Sequence, residues 1–154
     1  MRQSYAERSE IIDFIGAYTK LLSGKTPPPI RITKQRFEYV SPDAVAITGE
    51  PNRPEFVDGF LFARHTAGVS RTAALRLISE TAFASTFFRR FWIILETSSE
   101  NANRLHLSLQ KLEFQNVGIA SRSLQTRKEV SILQMPHAPP TPDRQILVLE
   151  QLNQ

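Results

Sequence analysis

Between Phe87 and Thr97 the chain reads F-F-R-R-F-W-I-I-L-E-T, with Phe87, Phe91, Ile93 and Leu95 on one parity and Phe88, Trp92 and Ile94 on the other. A strand that is apolar on both faces must be covered on both, so it runs through the middle of a sheet or lies at an interface. The same residues could also extend a preceding helix, because a short apolar run fits either period. Either way the segment needs a large apolar environment. A chain of 154 residues, 41% hydrophobic and with ten phenylalanines, can supply one as a single domain over residues 1–154.

The flanking sequence sets what such a strand can pack with. Ser4-Tyr5-Ala6-Glu7 has the form of a capping box ahead of Ile11, Ile15, Tyr18 and Leu22, which predicts an N-terminal helix over about 5–23. Gly24 can close that helix, and Pro27-Pro28-Pro29 forbids its continuation. From Ile30 the pattern turns to alternating β-branched and aromatic residues: Ile30 and Ile32, Phe37 and Tyr39, then Val45 and Ile47 after Ser41-Pro42-Asp43. This predicts a hairpin. Gly49 to Pro54, with two prolines and a glycine, reads as a loop, and Phe56 to Ala63 as a third strand. Gly68 and Ser70 mark the start of a mid-chain helix over 72–84. Beyond the apolar run, the alternation of Leu105, Leu107 and Leu109 predicts a strand over 104–114, bulged where the parity switches to Leu112 and Phe114. Val130 to Met135 reads as a further strand. A proline-rich linker over 136–142 then leads to a last strand over 145–152.

The expected fold class is therefore α+β. An antiparallel and curved sheet of about six or seven strands would pack against the N-terminal and mid-chain helices. Cone-shaped domains of the nuclear-transport-factor-like kind are compatible with that order of elements, by analogy alone.

The formal net charge is +4, and residues 66–111 carry most of it: Arg71, Arg76, Arg89, Arg90, Arg104 and Lys111 stand against Glu80, Glu96 and Glu100. Arginine offers a rigid fork to phosphate or carboxylate and stacks on aromatic rings, so its predominance points to anionic partners more than to solubility. No cysteine is present, which leaves no disulfide framework and no thiolate metal site. The expectation is an intracellular, by default cytoplasmic, protein. The start MRQSYAERSEII resembles neither a signal nor a transit peptide, and no apolar run is long enough to span a membrane. His65, His106 and His137 lack metal-ligand spacing, and the common nucleotide-binding and serine-hydrolase motifs are missing, so no metal or cofactor is expected.

One local constellation carries chemistry. His65-Thr66-Ala67-Gly68-Val69-Ser70-Arg71 is similar to the phosphate loop of dual-specificity phosphatases, H-C-x-A-G-x-S-R between a strand and a helix. The cysteine of that loop is absent and the spacing from His65 to Arg71 is one residue shorter, so membership of that family is not inferred. The physics of a strand-to-helix turn remains: Gly68 permits a sharp turn, Ser70 can cap the helix, and free N–H groups beside Arg71 can meet an anion. Arg89 and Arg90, set among aromatics, can pair phosphates, although alternation along a strand would place them on opposite faces.

Three readings of function follow. The first is a non-enzymatic nucleic-acid binder, RNA before DNA, with Arg64, His65, Gly68, Ser70, Arg71, Arg76, Arg89 and Arg90 as its contacts. The second is a protein-interaction module, a homo-oligomer, whose interface is built from Phe87, Phe88, Phe91 and Trp92. The third is an enzyme of cone-like fold in which Asp58, His65 and Glu96 share a pocket. Catalysis is the least supported by residue spacing.

Overall fold

The apolar run is a strand in the interior of a sheet. The computed structural model describes residues 30–33, 37, 40, 42–50, 53–64, 70–111, 114–122, 130–137 and 144–152. Its strands are β1 (Ile30–Thr33), β2 (Ala44–Glu50), β3 (Arg53–Arg64), β4 (Arg90–Glu96), β5 (Val117–Arg122) and β6 (Val130–Gln134). Its helices are α1 (Arg71–Ala84), α2 (Ser99–Gln110) and α3 (Gln145–Leu152). The helix expected over 5–23 lies outside the described residues.

The strands lie side by side in chain order, from β1 to β6. β1 and β2 pair antiparallel, as do β2 and β3, and β5 and β6. β4 is parallel to both its neighbours, β3 and β5. The fold is thus α+β with a mixed, open sheet, and the expected antiparallel, cone-shaped sheet does not form. The reason lies in the connections. Two parallel neighbours need a crossover that carries the chain back along the sheet, and α1 and α2 are those crossovers.

The sequence misread α2 as a strand, because Leu105, Leu107 and Leu109 alternate. The helical stripe is Ala102, Leu105 and Leu109, all buried, while Leu107 is 58% exposed. Ser98 caps this helix, its side chain accepting from the Asn101 N–H at 3.3 Å. The last segment, expected as a strand over 145–152, is also a helix; Val148 is buried between exposed Ile146 and partly exposed neighbours. The expected loop over 49–54 belongs largely to the sheet, since Gly49 pairs with Pro54 and Glu50 with Arg53. A register shift between Thr48 and Gly49 lets the ladder accommodate a proline that has no N–H to donate.

The three described helices lie on one face. Leu77 and Ala84 of α1, Leu105 and Leu109 of α2 and Val148 of α3 form one cluster with Val45, Ile47, Val57, Phe91, Ile93, Leu95, Val117 and Ile119. Those strand residues alternate along β2 to β5 and so define the helical face. The intervening residues Ala46, Asp58, Phe60, Trp92, Ile94, Glu96, Ala120 and Arg122 make up the second face and are buried as well. This explains the two-sided apolar pattern of β4. A glycine gives way to an aromatic on each face: a Cβ on Gly59, on the helical face, would stand 2.8 Å from the Phe88 ring, and one on Gly118, on the second face, would stand 2.6 Å from the Trp92 ring.

The mid-chain helix begins as the sequence predicts. Ser70 is extended at φ −72° and its hydroxyl accepts from the Ala73 N–H at 3.1 Å. Ser70→Ala is expected to cost about 1 kcal/mol of stability by orphaning that donor. Urea unfolding measures it, and a loss near zero would show that water replaces the cap.

Candidate nucleic-acid interface

The carboxyl ends of the three parallel strands define one edge of the sheet. Arg64, Glu96 and Arg122 are in register across it. In sheets with parallel strands, ligands bind preferentially outside this edge, because helix N-termini gather there. Here α1 starts after β3 and α2 starts after β4, so two capped helix N-termini face the same way. Arg71, the first residue of α1, is exposed.

The one acid in register at this edge is neutralised. Arg122 Nη2 lies 3.0 Å from Glu96 Oε1, and both side chains are only 3% exposed. The Arg122 guanidinium also lies over the Phe62 ring, 5.7 Å from its centroid. Asp43 accepts from the Phe62 N–H at 2.6 Å through Oδ2, which ties the segment before β2 to β3. Asn101 donates to the Thr97 hydroxyl at 3.2 Å and holds the turn from β4 into α2.

Arg64, Ser70 and Arg71 are therefore brought to one edge. His65 and Gly68 fall between them in the chain and lie outside the described residues. Arg76 is exposed on α1 but points about 140° away from Arg71 around the helix axis, given five residues at 100° each.

Arg89 and Arg90 are at the other end of the sheet, about 20 Å from Glu96 along β4. Alternation does not separate them as expected. Arg89 precedes the strand and its N–H donates to Val57 O, so both side chains turn to Asp58. Asn116 fixes this turn by donating to the carbonyls of Ser85 and Phe88 at 2.7 and 3.1 Å. Arg89 grips Asp58 with two hydrogen bonds, Nε to Oδ1 at 3.2 Å and Nη2 to Oδ2 at 3.1 Å. Arg90 Nη1 stands 4.0 Å from the same Oδ2.

Two expectations are corrected by these positions. Phe87, Phe88, Phe91 and Trp92 are 2%, 0%, 1% and 0% exposed, so they pack the interior of this chain and offer no surface to a partner. Asp58 and Glu96 sit at opposite ends of the sheet, each in an ion pair with arginine, and do not share a catalytic pocket. Among the described residues no group of three or more His, Asp or Glu side chains is placed to hold a metal. No described helix is long and apolar enough to cross a membrane. Sequence reasoning missed Arg122, whose signal is a lone cation closing the apolar strand V-G-I-A-S-R.

No family model matches the chain, and no curated protein is similar to it. Among solved structures, SfsA from Pyrococcus furiosus in complex with Ca2+ is similar at 12% identity and a TM-score of 0.40, over 86% of this chain. The chain spans 65% of the length of that protein.

Proposed function

We propose that the chain is a non-enzymatic nucleic-acid-binding protein that meets phosphates along the carboxyl edge of β3, β4 and β5. Arg64, His65, Gly68, Ser70 and Arg71 form the contact, and Arg76 adds a cation on the flank of α1. The observation that supports this reading is the exposed Arg71 at the N-terminus of α1, on the edge where Arg122 already neutralises Glu96. A phosphate there would meet a helix dipole and guanidinium charge together.

With the four aromatics of 87–92 inside the protein, base stacking on them is lost, and the preference for RNA over DNA loses its basis with it. The contact reads charge, so single strands of RNA and DNA of equal length are expected to bind comparably. The test is fluorescence anisotropy with a labelled oligonucleotide between 50 and 200 mM salt. Affinity should fall steeply with salt, and Arg71→Ala should flatten the log–log slope by about 0.7–0.9. Binding that ignores ionic strength, or an unchanged slope in the variant, would remove Arg71 from the interface.

A second reading, a protein-interaction or homo-oligomeric module, draws support from the helical layer and no longer from β4. Leu75 and Phe83 of α1 and Ile146 of α3 are large, apolar and exposed. Light scattering at high concentration separates this reading from the first: a monomer in solution leaves self-association without support.

A further inference from the structure

The outer side of α1 presents an apolar ridge to solvent. The side turned to the sheet is Leu77, Thr81 and Ala84, all buried. Leu75, Ser79 and Phe83 stand four residues apart on the opposite side, and Leu75 and Phe83 are 55% and 47% exposed. Phe83 is held in that position. Its ring meets Phe87 edge-on with centroids 5.1 Å apart, and the Arg144 guanidinium lies 5.9 Å from its centroid. Arg76 and Glu80 each follow a ridge residue, so they line one flank of the ridge about 100° further round. Both are exposed. At the same spacing Glu100 and Arg104 of α2 close an ion pair at 3.1 Å, whereas Arg76 and Glu80 form none with each other or with another described residue. Their order, cation before acid, is the less favourable one within a helix.

We infer that this ridge is the seam of a homodimer, in which α1 packs antiparallel on α1 of a second copy with Ser79 at the two-fold axis. The inference rests on the self-association reading above and assigns it one face. Ridges of residues four apart interlock at the commonest helix crossing, and a two-fold axis at Ser79 sets Leu75 of each copy against Phe83 of the other. The small serine lets the two backbones approach. Charge is the argument for a second copy over any other partner. In an antiparallel two-fold pair each flank meets the same flank of the other copy, so Arg76 faces Glu80 twice, once in each direction. Arg76 is then taken by the seam, while Arg71, at the helix start, lies beyond the crossing. One 14-residue helix from each copy is a small contact against the roughly 1,200 Å² of a standard interface, so the dimer is weak and depends on concentration.

The test is sedimentation equilibrium of the full chain, which should show a reversible monomer–dimer equilibrium. Arg76→Glu puts two acids on the flank and Glu80→Arg puts two cations there. Each should weaken self-association by about tenfold or more, because like charges then meet twice across the seam. An equimolar mixture of the two variants should recover the dimer, since the acidic flank of one meets the basic flank of the other. A parent chain still monomeric at about 1 mM overturns this inference and the self-association reading together. A dimer that ignores both reversals overturns the α1 seam alone and leaves that reading in place. A second variant serves if either reversal fails to fold. The chain has no cysteine, so Ser79→Cys carries a single thiol that mild oxidation should link between copies much faster than the thiol of Ser131→Cys, exposed on β6. Equal rates of linking count against the seam.

Discussion

Arg122→Met is expected to lower the free energy of unfolding by up to about 3–5 kcal/mol, because it takes an ion-pair partner from a carboxylate held in the interior. Glu96 and Arg122 are in register on adjacent parallel strands, 3.0 Å apart and 3% exposed. Little solvent is available to replace the lost partner, and the methionine keeps most of the stem packing, so the loss reports the charge. Converting both residues, Glu96→Met with Arg122→Met, is expected to restore most of the stability or exceed it, since neither desolvation cost is then incurred. Guanidinium unfolding of the two single variants and the double variant completes the cycle. A single variant that unfolds like the parent would mean that water reaches the pair.

Gly118→Ala is expected to destabilise by about 1–3 kcal/mol through a clash with Trp92. The added carbon would stand 2.6 Å from the indole, whose residue is 0% exposed and packed on the second face with Phe60 and Ile94. The ring cannot withdraw into solvent, so the strands must part or the indole must leave its rotamer. Trp92→Phe removes ring volume beside the glycine, and in that background Gly118→Ala is expected to cost much less than in the parent. Thermal melts of the four proteins read the coupling. Strict additivity would show that the clash is relieved by backbone movement instead.

What the sequence disclosed depended on whether a local rule met a competing one. The helix at 71–84 was legible from its Gly-x-Ser start, whereas the strand at 90–96 was one of two outcomes that the two-sided apolar run allowed. The helix at 99–110 was not legible. Its leucines satisfy a period of two by chance, and the burial of Ala102, three residues before Leu105, together with the exposure of Leu107 shows that the period near 3.6 governs. That error turned the parallel β4–β5 pair into an expected hairpin, while β3 and β4 were expected antiparallel although the helix that crosses between them had been read. At the candidate site, Ser70 and Arg71 could be placed from their position ahead of a helix. The sharing of Asp58 between Arg89 and Arg90 could not, because it depends on a residue some thirty positions earlier in the chain and on a bend that alternation does not foresee.

The identity of strand order and chain order has a consequence for how this molecule is made. Each strand finds its partner in the one before it, so the sheet can be assembled vectorially, as a growing edge that accepts one new strand at a time during synthesis. No described strand has to be inserted between two that have already paired. The exception is α3, which packs back across β3, with Gln145 accepting from the Val57 N–H at 3.5 Å. Among the described elements it is the last to leave the ribosome and the one that must travel backwards. Its docking therefore divides a nascent sheet from the finished one.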